Sequence, residues 1–329
     1  MDAFFTLMIS GYKDGVLIPV PVYPLYSALI DLQGASALGY ELGTHKEKWV
    51  VDLKEIERKV EEARNQGISP RCLVVINPGN PTGQLLSYDN IRAIVDYCYD
   101  QGIVIIADEV YQDNIYEEGA KFHSFRKVAR EAKKDLEIIS VHSLSKGYHG
   151  ECGLRAGYVE LMNVQEQVQE QFLKLLSISL CSNAIGQVAV ELMVNSPSAS
   201  EESYPLYMRE KTAIMESLRR KSKLVFDGLN SMRNIRTNKV EGAMYAFPEI
   251  RFSAAALKAA SGAKMPVDLF YSLQLLEKTG IMVVPGSGFG QHEGTWHFRT
   301  TILPSEQAMA SVIEKFSEFN EDFHERYRD

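Results

Sequence analysis

A chain of 329 residues, 45% hydrophobic and 24% charged, is long enough for two globular domains with sizeable cores. Its formal charge of −8, with dispersed basic residues, excludes the positive stripe that nucleic acid or an anionic membrane requires, so a small molecule is the expected partner. The four cysteines, Cys72, Cys98, Cys152 and Cys181, have neither zinc-site spacing nor the density of a disulfide scaffold, and read as reduced thiols of a cytoplasmic protein. No apolar run is long enough to span a bilayer, and the first residues lack the pattern of a targeting leader, although an organelle address upstream is compatible with this sequence.

Three short β-branched runs, residues 73–76, 103–106 and 138–141, are each bounded by polar or turn residues and predict buried strands. Between the first two, Ile91, Ile94, Val95 and Cys98 fall on one helical face behind Ser87 as a cap, which makes a strand–helix–strand crossover. Strands alternating with helices imply an α/β fold: a mostly parallel sheet covered by helices, with ligands beyond the carboxyl ends of its strands. Past residue 185 the texture changes, and a Ser-rich stretch leads into a long helix from about residue 206 to 232, with Ile214, Leu218, Val225 and Leu229 in one narrow arc. We therefore divide the chain into a large domain over 1–204 and, over 205–329, this connecting helix with a smaller C-terminal α+β domain. Strand candidates in the latter lie near 244–247, 280–284 and 297–302.

Polar groups follow each strand run of the large domain: Asn77-Pro-Gly-Asn80-Pro-Thr-Gly83, then Asp108-Glu-Val-Tyr111, then His142-Ser-Leu-Ser-Lys146. Asp108 ends an apolar run, so its charge is either exposed, paired, or used as a helix cap. Tyr111 fits core packing with a satisfied hydroxyl. Lys146 is either a solvated surface charge or a partly desolvated amine with nucleophilic character, and Ser143 and Arg155 flank it with groups suited to a phosphate. Arg299 sits in the aromatic run Thr295-Trp-His-Phe-Arg299, where a carboxylate partner, internal or from a ligand, is expected. The glycine-rich Val284-Pro-Gly-Ser-Gly-Phe-Gly290 lacks the ending of a P-loop and reads as a tight loop near a site. No metal-ligand spacing and no nucleophile elbow is present.

In the order Asn80, Asp108, Tyr111, Lys146, Arg155, Arg299, with the linked motifs Asn77-Pro-Gly-Asn-Pro-Thr-Gly83, Ala107-Asp-Glu-Val-Tyr111 and Ser143-Leu-Ser-Lys146, the chain resembles the fold-type I pyridoxal-phosphate aminotransferases over essentially its whole length. Ile18-Pro-Val-Pro-Val-Tyr-Pro-Leu-Tyr26, Gly150-Glu-Cys-Gly-Leu-Arg155, Gly242-Ala-Met-Tyr-Ala-Phe-Pro248 and Val283-Val-Pro-Gly-Ser-Gly-Phe-Gly290 are similar to the alanine aminotransferase branch. The resemblance implies pyridoxal 5'-phosphate as cofactor, attached to Lys146, which also moves the proton at the substrate α-carbon. It implies Asp108 at the pyridine nitrogen, Asn80 and Tyr111 at the phenolic oxygen, Tyr23 stacked on the ring, Ser143 and Arg155 at the phosphate, and Arg299 on the substrate α-carboxylate. The implied reaction moves the amino group between L-alanine and 2-oxoglutarate, giving pyruvate and L-glutamate, in a homodimer. Glutamate:glyoxylate transamination is the neighbouring reading. One departure stands at the front: residues 4–9 resemble the later part of a helix whose preceding phosphate-gripping turn, with the family's N-terminal segment, is not in this sequence. The sequence thus reads as N-terminally truncated, which opens the alternative of a non-catalytic protein of the same fold.

Overall fold

The computed structural model describes residues 1–329, and a six-stranded sheet organises their first half. Helix α1 (Asp2–Met8) leads to strand β1 (Asp14–Val20), helix α2 (Leu25–Leu32) and strand β2 (Ser36–Glu41). A hairpin of β3 (Gly43–His45) and β4 (Lys48–Val50) precedes α3 (Leu53–Asn65). Then come β5 (Ser69–Ile76), α4 (Tyr88–Gln101), β6 (Val104–Asp108), α5 (Phe125–Glu131), β7 (Ile138–Ser143) and β8 (Gly157–Met162). The strand order is β2-β1-β5-β6-β7-β8, parallel throughout except that β8 runs antiparallel to β7.

The three predicted runs are the buried strands β5, β6 and β7. Their side chains alternate between two cores, as the pleat requires. Leu73 and Val75 pack with α3, α4 and α5, whereas Cys72, Val74 and Ile76 face Phe5, Tyr26 and Ile30 on the other side. Helix α4 forms where its periodicity says it should. The Ser87 hydroxyl accepts from the Asn90 amide at 3.2 Å, Ile91, Ile94, Val95 and Cys98 are buried, and Gly102 ends it at φ +66, a left-handed conformation that glycine adopts without penalty.

Helices α6 (Glu166–Ser177) and α7 (Ala184–Val194) lead to α8 (Tyr204–Asn230). Beyond it lie β9 (Ile235–Arg236), β10 (Tyr245–Ala246), β11 (Glu249–Ile250), α9 (Ala254–Gly262), α10 (Val267–Thr279), β12 (Val284–Pro285), β13 (Phe298–Thr301) and α11 (Glu306–Arg326). These helices and short strands share a core rich in aromatic rings, among them Tyr271, Phe298, Phe316 and Phe323. Leu218, Val225 and Leu229 of α8 are buried there, but Ile214, expected on the same face, is 42% exposed. The reason is where the partner begins: Glu306, the first residue of α11, meets α8 at Ser217 and Arg220, and Ile214 lies a turn beyond it. The strand candidate at 280–284 shortens to β12, because Gly280 is the left-handed cap of α10 at φ +75. No helix is long and apolar enough to cross a membrane.

Candidate active site

The sheet register brings the expected residues to one edge. Ile76 pairs with Asp108 and Asp108 with Val141, so the segments leaving β5, β6 and β7 start side by side at their carboxyl ends. Strand β1 lies between β2 and β5, and the chain turns outward in opposite directions on either side of the β1/β5 boundary. A crevice at such a switch point is where open α/β sheets take ligands. The segments leaving β1 and β5, with Tyr23 and Asn80, border it.

Asp108 caps no helix. A turn follows it, with the Val110 amide at 3.4 Å from Oδ1, while the Tyr26 hydroxyl donates to Oδ2 at 2.5 Å. Burial pushes this carboxyl above the usual range; the Tyr26 hydroxyl, the Val110 amide and, at longer range, the ammonium groups of Lys146 and Met1 pull the other way without winning. No lysine or arginine forms an ion pair with it. Lys146 is half-buried, with Nζ 5.6 Å from the centre of the Tyr111 ring. The backbone just after it is pinned: Gly147 stands at φ +71 and its amide donates to Oδ1 of the fully buried Asn114 at 3.0 Å. Tyr111 is buried, and its hydroxyl reaches that of Tyr245 at 3.4 Å.

Arg299 arrives from the C-terminal half on β13. Its Nη1 donates to Oδ1 of the buried Asn80 at 3.2 Å, and its guanidinium carbon lies 4.3 Å from the ring centre of Tyr245 and 4.8 Å from that of Phe289. The internal salt bridge that the sequence left open does not form, since no carboxylate of the chain pairs with it. The Val284–Gly290 loop is tight, as expected, with the Ser287 amide donating to Asp268 at 2.7 Å, and it supplies Phe289.

Asn80, Asp108, Tyr111, Lys146 and Arg299 therefore form one neighbourhood at the carboxyl edge of the sheet, Arg299 bonding Asn80 and linked through Tyr245 to Tyr111, over which Lys146 stands. Tyr23, Ser143 and Arg155 make no hydrogen bond to that group. Tyr23 is 40% exposed, the Ser143 hydroxyl accepts from the Ser145 amide at 3.1 Å, and the exposed Arg155 donates to the Cys152 carbonyl at 3.0 Å. Sequence reasoning missed Tyr26, Tyr245 and Phe289 as site residues. Each lies within a quoted motif, but only the fold shows that Tyr26, 82 positions away, touches Asp108. No group of three or more His, Cys, Asp or Glu residues is placed to hold a metal ion.

A buried acid that no lysine or arginine of the chain pairs, a half-buried amine and an arginine that no carboxylate of the chain pairs form a set suited to one positive and one negative group. A protonated pyridine ring and a substrate carboxylate are such groups. Residues 2–316 match the aminotransferase class I and II family. The chain is 49% identical over 326 residues to alanine aminotransferase 2 of Panicum miliaceum, covering 98% of this chain and 67% of that protein. It is 48% identical over 324 residues to glutamate–glyoxylate aminotransferase 1 of Arabidopsis thaliana, covering 97% and 67%. Its fold superimposes on the solved alanine aminotransferase of Pyrococcus furiosus with a TM-score of 0.81 at 26% identity, over 98% of this chain and 73% of that one. The chain spans between 60% and 68% of the length of those two curated relatives and of six further ones that it matches.

Proposed function

The chain belongs to the aminotransferase class I and II family, whose members depend on pyridoxal 5'-phosphate, and on that premise we propose that it moves the amino group between L-alanine and 2-oxoglutarate, giving pyruvate and L-glutamate. The observation that carries this reading is Arg299: a half-buried guanidinium with no carboxylate of its own, beside Asn80 and linked through Tyr245 and Tyr111 to Lys146. When bound, the cofactor supplies a carbonyl that takes up the amino group and a ring that draws electrons from the α-carbon. Everything else is the work of the chain. Lys146 would hold the cofactor through its amine, and that amine would accept and return the α-proton. Asp108, itself held by Tyr26, would keep a proton at the ring nitrogen. Asn80 and Tyr111 would bind the phenolic oxygen, Tyr23 would cover the ring, and Ser143 and Arg155 would bind the phosphate. Arg299 fixes the α-carboxylate and so orients the bond to be broken. In this reading residues 1–204 hold the cofactor and residues 205–329 bring the carboxylate clamp to it.

The test is spectroscopic and then chemical. The protein mixed with pyridoxal phosphate gains visible absorbance that Lys146→Ala lacks, and L-alanine alone releases one equivalent of pyruvate from the loaded protein. A colourless wild-type protein overturns the reading. Glutamate:glyoxylate transamination is the second reading, favoured by the 48% identity to a relative of that name. Initial rates with L-glutamate as donor and pyruvate or glyoxylate as acceptor decide between them.

We take the working unit to be a homodimer. Leu173, Ile178, Leu180, Ile185, Val188 and Leu192 expose apolar side chains within residues 166–194, a concentration of the kind that subunit contacts cover. Light scattering of the purified protein gives the mass directly. The proposed compartment is the cytosol; relatives include proteins named as mitochondrial, and fractionation of the cells that make this protein separates the two.

A further inference from the structure

Tyr245 touches both ends of the candidate site. Its partner across the β10/β13 ladder is Thr301, so Arg299, two residues back along β13, projects from the same face of the small sheet. The Arg299 guanidinium carbon lies 4.3 Å from the Tyr245 ring centre, with the Phe289 ring at 4.8 Å. Two aromatic rings against a planar cation attract it through their negative faces and shield those sides from water. The N–H groups in the guanidinium plane stay available. One of them is occupied by Asn80 Oδ1 at 3.2 Å, and no carboxylate of the chain takes another. On its other side, the Tyr245 hydroxyl meets the Tyr111 hydroxyl at 3.4 Å, the two rings standing edge to face at 84°.

We propose that Tyr245 is a positioning residue for Arg299: its ring fixes the plane in which the guanidinium meets a substrate carboxylate, and its hydroxyl ties that clamp to Tyr111. This rests on the transaminase reading above. The two duties belong to different atoms and are separable by substitution. Tyr245→Phe keeps the ring and loses the tie, whereas Tyr245→Leu loses both.

The experiment uses the pyridoxal-phosphate-loaded protein and glutarate, a dicarboxylate without an amino group, titrated calorimetrically so that no turnover enters the readout. Tyr245→Leu is expected to weaken glutarate binding about tenfold, in the range of a partly desolvated cation–π contact, and Tyr245→Phe to restore it to within about twofold of wild type. Under turnover, KM for 2-oxoglutarate rises in Tyr245→Leu by the same factor, while in Tyr245→Phe the KM stays within about twofold of wild type. Arg299→Gln serves as reference. If Arg299→Gln binds glutarate as wild type does, the carboxylate clamp itself is wrong, and the role of Tyr245 falls with it. If Arg299→Gln loses binding and Tyr245→Leu does not, the clamp stands and the positioning role is overturned. Equal weakening in Tyr245→Phe and Tyr245→Leu also overturns it, because the ring would then do nothing for Arg299. Where melting shows that Tyr245→Leu does not fold, Tyr245→Met, unbranched and better able to fill an irregular gap, takes its place with the same expectations.

Discussion

The Tyr26 hydroxyl donates to the Asp108 carboxylate at 2.5 Å, both groups being buried at the carboxyl edge of the sheet. A hydrogen bond to a charged group contributes about 1.5–3 kcal/mol, and here it favours the ionised acid against the burial that raises its pKa. Tyr26→Phe removes only the hydroxyl. We expect kcat/KM to fall roughly tenfold and the acid limb of its pH profile to move upward, since Asp108 then ionises less readily. A profile superimposable on wild type would leave Tyr26 as a space-filler.

Arg299 and Asn80 yield a prediction about geometry as distinct from charge. The guanidinium has a fixed planar fork of donors, one of which Asn80 already occupies, whereas a lysine is a point charge on a flexible stem. Arg299→Lys is therefore expected to lower kcat/KM for L-alanine about a hundredfold, equivalent to about 2.7 kcal/mol and consistent with the loss of paired charged hydrogen bonds. Asn80→Ala, which frees the guanidinium without removing it, costs less. Recovery of more than a third of wild-type kcat/KM by Arg299→Lys would mean that charge alone suffices.

Much of this site was legible in the sequence, for local reasons. Strands β5, β6 and β7 are short β-branched runs with polar residues after them, so their ends announce themselves, and α4 carries its cap, its apolar face and its terminal glycine between Ser87 and Gly102. Strand β1 did not announce itself. It contains Pro19, which in a central strand should break the ladder, and it is tolerated because the β1/β5 pairing stops at Leu17, leaving Pro19 to pair only with β2. Ile214 repeats the apolar spacing of α8, yet periodicity cannot tell where the neighbouring helix begins. The contacts of Tyr26 and Tyr245 are long-range pairings across the fold, and the lack of a carboxylate at Arg299 is a property of its surroundings that no motif encodes.

Glu109, directly after Asp108, predicts a pH dependence of stability. Burial pushes its carboxyl up to about 7 from an ordinary 4.5, offset in part by the Phe125 amide at 2.8 Å and reinforced by the neighbouring charge of Asp108. Between about pH 4.5 and 7 the folded chain keeps this proton while the unfolded chain has lost it. The folded state therefore binds more protons, and stability falls as pH rises through that window, by up to about 3 kcal/mol above pH 7. Glu109→Gln keeps an oxygen for the Phe125 amide and removes the titration. Its denaturation midpoint should exceed that of wild type at pH 8 and converge with it near pH 4.5; an equal difference at both pH values would assign the effect to packing.

Gly242 joins the two halves of the site at a point where no side chain fits. Its amide donates to the Gly83 carbonyl at 2.9 Å, and a Cβ there would stand 2.7 Å from the Asn114 carbonyl oxygen and 2.8 Å from Pro78 Cβ. The first obstacle is backbone and the second a rigid ring, so neither yields as a flexible side chain would. Gly242→Ala must push β10 away from the loop that carries Asn80, and β13 with Arg299 moves with its ladder partner. Overpacking of this kind costs about 1–3 kcal/mol of stability. The functional consequence is selective. Lys146 lies on a different segment, so borohydride should still fix pyridoxal phosphate to it, as read by peptide mass, while KM for both 2-oxo acid and amino acid rises because the clamp is displaced. Gly262→Ala, at a helical position with nothing within 4 Å of the new methyl, is the control and should leave both readings unchanged. If Gly242→Ala lost cofactor attachment in proportion to its rise in KM, the two halves of the site would be coupled more tightly than a displaced strand explains.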